Sequence, residues 1–212
     1  MRIDMDDNSE SLGQALARTI DAIKGGTISL RELIDLIGGQ GLLVLCALLS
    51  IPFLIPVSIP GVSTVFGAAI ILISIAITTN RKPWLPKRIL DRRLSAEKLV
   101  PALRKGLGIV DRIGRFLRPR FNALTDGAVV NRLNGLGLTL GGVLLLFPLG
   151  LVPFSNTLPG LAILSMSMGI AQRDGMFVLV GYGWLVATIV YFAVLGYVAF
   201  AAGQGLASMF GG

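Results

Sequence analysis

Residues 41–80 read GLLVLCALLSIPFLIPVSIPGVSTVFGAAIILISIAITTN, a run without one charged side chain and with Pro52, Pro56, Pro60 and Gly61 at its centre. A helix that crosses a bilayer needs about twenty apolar residues. The run is twice that length, and its proline-rich middle predicts a hairpin. The design returns in residues 141–172, GGVLLLFPLGLVPFSNTLPGLAILSMSMGIAQ. Ile51-Pro52-Phe53 followed by Ile59-Pro60-Gly61 is echoed there by Val152-Pro153-Phe154 followed by Leu158-Pro159-Gly160, two residues closer together.

The first hairpin divides into arms over residues 41–55 and 62–79, joined by PVSIPG. A fifteen-residue helix reaches about 22 Å against a hydrocarbon core of about 30 Å. Two readings stay open: a re-entrant hairpin, or two tilted spans with their turn in the far interface. Broken backbone at membrane depth needs protein or a wet cavity around it, and Ser58, Ser63 and Thr64 offer hydroxyls there. The second hairpin is expected to rise over residues 135–154, turn through residues 155–160 and descend over residues 161–171. So short a descending arm favours the re-entrant form in this copy. Asn156, between Ser155 and Thr157, is the most polar side chain of the two hairpins; its ordinary role is turn formation. Arg173-Asp174-Gly175 returns the chain to water, and residues 176 to about 202 form a final span. Tyr182, Tyr191 and Tyr197 along that span predict contacts with other helices.

The whole composition agrees with a membrane class. The chain has 212 residues, 53% hydrophobic and 15% charged, with mean hydropathy +0.77, outside the range of ordinary soluble domains. It has no histidine and one cysteine, Cys46. Intrachain disulfides, Cys/His zinc sites and histidine-dependent catalysis are thereby excluded, and Cys46 reads as a small packing residue. The acidic start, Asp4, Asp6, Asp7 and Glu10, gives no pattern of a cleaved signal peptide. Leu12, Leu16, Ile20 and Ile23 predict an amphipathic helix over residues 9–24 that Gly25-Gly26 stops. Ser29 and Glu32 have capping-box spacing and start a second short helix, with Gly38-Gly39 as its expected end. Both helices read as packing surfaces of the membrane bundle.

Residues 81–120 carry thirteen Lys/Arg against Asp91, Glu97 and Asp111, a net charge of +10 within a chain of +7. The positive-inside rule makes this segment cytoplasmic. Pro83-Trp84-Leu85-Pro86 sets an indole at the interface. Leu99, Leu103, Leu107, Val110, Ile113 and Leu117 recur at helical spacing, while Arg104, Asp111, Arg115 and Arg118 fall on other faces. The spacing predicts a surface helix on anionic lipid, begun near Pro101 and ended by Pro119. Nucleic acid is the weaker reading and is not expected, since neither interleaved aromatics nor a DNA-binding module accompanies the charge.

Pro60-Gly61 before a glycine-bearing apolar helix, Pro83-Trp84-Leu85-Pro86, Arg118-Pro119-Arg120, then Asn156, Pro159 and Asp174-Gly175 follow one another in an order that resembles the ExoD family of bacterial inner-membrane proteins. The resemblance covers residues 29–197. It implies a role in exopolysaccharide synthesis and in tolerance of alkaline conditions, and it brings no catalytic residues.

The sequence thus predicts an all-α, polytopic protein of the bacterial inner membrane, one structural domain in five parts. These are amphipathic helices (1–40), a first Pro-Gly-broken hairpin (41–80), a basic cytoplasmic segment (81–134), a second hairpin (135–175) and a final transmembrane helix with its tail (176–212). Catalysis is not expected, because the acids are scattered over the flanks, and no cofactor or metal is expected. Two function classes remain. In the first, the hairpin tips, Ser58, Pro60, Gly61, Ser63, Thr64, Ser155, Asn156, Thr157, Pro159 and Gly160, line a pathway for a small solute, an ion or a lipid-linked group. In the second, the protein is a non-transporting accessory that docks on polysaccharide-assembly proteins. Arg112, Arg115, Arg118, Arg120 and Arg173 form the basic, lipid-facing set in both. The many glycines of the apolar segments predict close helix packing and a homo-oligomer.

Overall fold

The computed structural model describes residues 27–54, 62–79, 117–147 and 152–210, with positions 91, 93–95, 97, 101, 104, 105, 108, 112 and 115 between them. The expected helix over residues 9–24, the Trp84 turn and the first tip, with Ser58, Pro60 and Gly61, lie outside the described residues.

The capping box forms as its spacing predicts. The Ser29 hydroxyl accepts the Glu32 amide at 3.2 Å, and the Glu32 carboxylate accepts the Ser29 amide at 2.9 Å. Helix α1, Leu30–Ser50, starts there, but it does not end at Gly38-Gly39. It runs through both glycines and tightens into a 3-10 turn over Ile51–Leu54. Each glycine costs a helix about 1 kcal/mol, whereas every buried Leu or Val that follows returns about 1.5–3 kcal/mol. Leu42, Leu43 and Val44 are all buried, so continuation wins. Just before α1, β1 (Thr27–Ser29) pairs antiparallel with β2 (Arg93–Ser95), Ser29 opposite Arg93. This small ribbon ties the basic segment to the start of α1, a link no periodicity foretells.

Helix α2, Val62–Thr79, fills the second arm of the first hairpin. Helix α3, Ala128–Leu145, begins earlier than Gly135 and takes Asn131, Arg132 and Asn134 into its first turns. Helix α4 spans Thr157–Ala171, which corrects the expected turn over residues 155–160. Pro159 sits in the first turn of α4, where a helix amide has no carbonyl to reach and its loss costs nothing. Gly160 then donates to the Asn156 carbonyl at 3.0 Å. The descending arm is therefore fifteen residues, not eleven. Helix α5, Gly175–Phe210, extends well past the expected end near residue 202.

The hairpins interlock crosswise: α2 packs chiefly along α3, and α1 along α4. Glycines set the α2–α3 seam. A side chain on Gly67 would meet Leu146 at 3.0 Å, and one on Gly142 would meet Ile71 at 2.8 Å. Between these two contacts and the approach of Gly135 to Thr78, the Ser74 and Thr139 hydroxyls bond at 2.8 Å. The pairing runs antiparallel. At the start of α4, Gly160 lies against Phe53 and the Ser50 carbonyl. The described helix ends on either side of the two breaks thus gather at one end of the bundle, the tip end. Leu43, Cys46, Ile70, Leu138, Leu145, Ile163, Met166 and Val178 join the helices in one apolar core.

Helix α5 lies antiparallel on α4, with Gly181 against Met166 and Gly169 against the Val178 amide. It meets the second break where Tyr191 donates to the Pro153 carbonyl at 2.7 Å and Phe192 faces Phe147. Beyond that level Val194, Val198 and Phe200 are exposed. Tyr182 and Tyr191 make the expected interhelical contacts, but Tyr197 is 73% exposed and corrects the third. It lies on the part of α5 that outreaches the other helices.

Candidate functional site

At the end opposite the tips, the turn between α4 and α5 is organised by one carboxylate. Asp174 is 1% exposed. One of its oxygens accepts the Met176 and Phe177 amides at 3.0 and 3.3 Å and so caps α5. An anionic cap also suits the positive end of so long a helix. The other oxygen accepts the Arg118 amide at 3.1 Å and lies 3.5 Å from Nε of Arg120. The Gly175 amide donates to the Arg120 carbonyl at 2.8 Å. Arg118-Pro119-Arg120 is thereby laid against the base of α5, with one isolated β-bridge between Arg120 and Asp174.

Close approach explains Gly175. A side chain there would collide with the carbonyl and, at 2.9 Å, with Cβ of Phe121. Phe121 itself holds left-handed backbone, φ 54°, and is 61% exposed. Arg173 is also left-handed and pairs with Asp126 at 3.9 Å, a weak surface contact. Nearby, buried Asn134 donates to the Leu124 carbonyl at 2.9 Å and accepts the Tyr182 hydroxyl at 3.0 Å. That pair pins the loop before α3 to the flank of α5.

The predicted residues fall into two groups. Arg118, Arg120 and Arg173 are brought together around the Asp174 turn, the first two exposed. Arg112 is helical and exposed, as are Arg104 and Lys105, while Leu117 is buried; the other apolar residues of the expected surface helix lie outside the described residues. Arg115 is an exposed turn residue. At the tip end, Ser63 and Thr64 start α2. Ser155 is buried and its hydroxyl donates to the Val152 carbonyl at 2.8 Å. Asn156 occupies the N-cap position of α4 without bonding that helix's first amides through its side chain. Thr157 follows as the first helical residue, and Pro159 and Gly160 are buried against the end of α1.

Ser50, Ser74, Thr78, Ser167 and Thr188 hydroxyls each bond a carbonyl of their own helix. Among the described residues no buried side-chain polar atom lacks a partner, and no cluster of metal-ligating side chains occurs. Sequence reading missed the central roles of Asp174, Asn134 and Phe121. The signal for Asp174 was present, since Asp-Gly directly before a long apolar run is a helix-start signature; its two arginine partners lie too far away in sequence to be read.

Comparison with known proteins adds the family context. A family model described as "Exopolysaccharide synthesis, ExoD" matches residues 12–194. The chain is 65% identical over 210 residues to Protein ExoD of Rhizobium meliloti, covering 99% of this chain and 88% of that one. It is 25% identical over 168 residues to an uncharacterized protein of Synechocystis, covering 79% and 77%. No solved structure matches it.

Proposed function

This chain belongs to the ExoD family, whose members take part in exopolysaccharide synthesis, and we propose that it serves there as a multi-pass inner-membrane protein in an accessory, non-transporting role. Two helices, Ala128–Leu145 and Gly175–Gln204, are long and apolar enough to cross a membrane. Only 11% of the α5 window is buried, which disfavours the core helix of a soluble protein and suits a lipid-facing one. The +10 segment, which ends at Arg120 beside Asp174, supports a cytoplasmic side for that end by the positive-inside rule. Helix α4, by contrast, reaches about 22 Å against a hydrocarbon core of about 30 Å and does not cross it untilted. Such a bundle docks on polysaccharide-assembly proteins through its basic end.

One observation carries the accessory role. Among the described residues the hydroxyls between the helices bond carbonyls of their own helix or, at Ser74 and Thr139, each other, and this internal pairing supports a packed bundle over a polar passage. The pathway reading keeps a specific observation of its own: the described helix ends that flank the two breaks, the end of α1 and the start of α4, and the start of α2 and the end of α3, pack against each other. Complementation of a deletion strain separates the two. For the accessory role, Asn156→Leu retains polysaccharide output and shows no flux in liposomes, while neutralising Arg112, Arg115, Arg118 and Arg120 together abolishes output. Loss of output and of flux by Asn156→Leu alone would establish the pathway instead.

A further inference from the structure

We propose that Arg118, Arg120 and Phe121 form a preorganised site for the phosphate headgroup of an anionic phospholipid, at the base of α5. The proposal rests on the membrane reading above and names the partner of its basic end. A free arginine pair on a loop would lose much side-chain and backbone freedom on binding. Here that freedom is already spent. Asp174, itself buried, holds the Arg118 amide and Nε of Arg120, and Pro119 between them has a fixed φ. Nε is only one of the guanidinium's donors, and the Arg120 side chain remains 51% exposed, so its outer nitrogens are presented to solvent in the fork that matches a phosphate.

The next residue turns the same loop toward lipid. Phe121 stands out in a left-handed conformation that the absence of a side chain at Gly175 permits. An exposed phenyl ring beside two arginines is costly in water and favourable at a headgroup layer. On the first turns of α5, which starts at the Gly175 that Phe121 touches, Met176, Leu179 and Val180 are exposed and apolar. The patch therefore offers a cationic fork, an aromatic ring and a greasy wall in that order. A ligand with a phosphate attached to acyl chains fits all three, whereas a soluble anion satisfies only the first.

The test uses the full-length protein in mild non-ionic detergent, titrated with dioleoyl phosphatidylglycerol, dioleoyl phosphatidylcholine or sodium phosphate, with the thermal unfolding midpoint and lipid retention in native mass spectra as readouts. Phosphatidylglycerol raises the midpoint and stays bound; the other two do neither. Each cationic side chain at an anionic surface is worth about fivefold in affinity, so Arg118→Gln with Arg120→Gln weakens phosphatidylglycerol binding roughly twentyfold. Phe121→Asn, which keeps the left-handed backbone, weakens it while leaving the lipid-free midpoint in place. Neutralising exposed Arg104 and Lys105 leaves the affinity unchanged. Equal loss from Arg104 and Lys105, undiminished affinity in the Arg118/Arg120 variant, or an equal shift with sodium phosphate overturns the proposal. Extraction of the protein from membranes by alkaline carbonate would instead sink the membrane reading beneath it.

Discussion

At the scale of single residues, Asp174 does the most for the least volume. Its two oxygens serve three backbone amides and one guanidinium, and it is the turn between two core helices that they hold. Replacing Asp174 by Ala removes a helix cap worth about 1 kcal/mol and leaves the Arg118 amide without its charged acceptor, a further cost of about 1–3 kcal/mol. Arg120 is half exposed and rehydrates at little cost. Thermal unfolding in detergent should show the sum as a destabilisation of about 2–4 kcal/mol. Asp174→Asn, which keeps an acceptor for the cap, should lose less. The Arg-Asp-Gly triplet made the turn legible in the sequence, but the reach of Asp174 back to Arg118 was not. Side-chain contacts over more than fifty positions leave no trace in local spacing.

At the scale of elements, what could be read was what chain chemistry marks locally. The Ser29–Glu32 box fixed the start of α1, and the Pro60-Gly61 break with Thr79 at the far side bounded α2 to the residue. Glycine pairs misled at Gly38-Gly39, because burial overrides propensity there. Pro159 misled because a proline in a first turn looks the same in sequence as one in a loop. The crosswise pairing of α2 with α3 was not legible either. Helices that are apolar on nearly every face carry little periodicity to say which face meets which partner. The seam still has a sharp consequence. Gly142→Leu must force α2 and α3 apart, since even a methyl group would lie 2.8 Å from Ile71, and a loss of about 1–3 kcal/mol or more is expected from such overpacking. Gly183 on α5 has open space around it. Gly183→Ala should leave the unfolding midpoint unchanged or raise it slightly, as Ala favours a helix by about 1 kcal/mol.

At the scale of the molecule, charge and shape point along one axis. Arg118-Pro119-Arg120, the Asp174 turn and the start of α3 gather at one end, the described helix ends that flank the hairpin breaks lie at the other, and α5 runs past them. The proposed membrane placement turns that axis into an expected topology: the basic end cytoplasmic, each hairpin returning to the side it entered, and α5 crossing once. Gly67, Gly135, Gly142, Gly169 and Gly181 are consumed within one chain, whereas Gly183, Gly196 and Gly203 on α5 stay open, so the expected oligomer has the exposed faces of α2, α3 and α5 to use. The most direct test of the account is a pair of reporter fusions, one at Gly106 in the basic segment and one at Gly212 at the end of the chain, each made with a cytoplasm-active and a periplasm-active reporter. The account predicts cytoplasmic activity at Gly106 and periplasmic activity at Gly212; activity of both positions on the same side would contradict it.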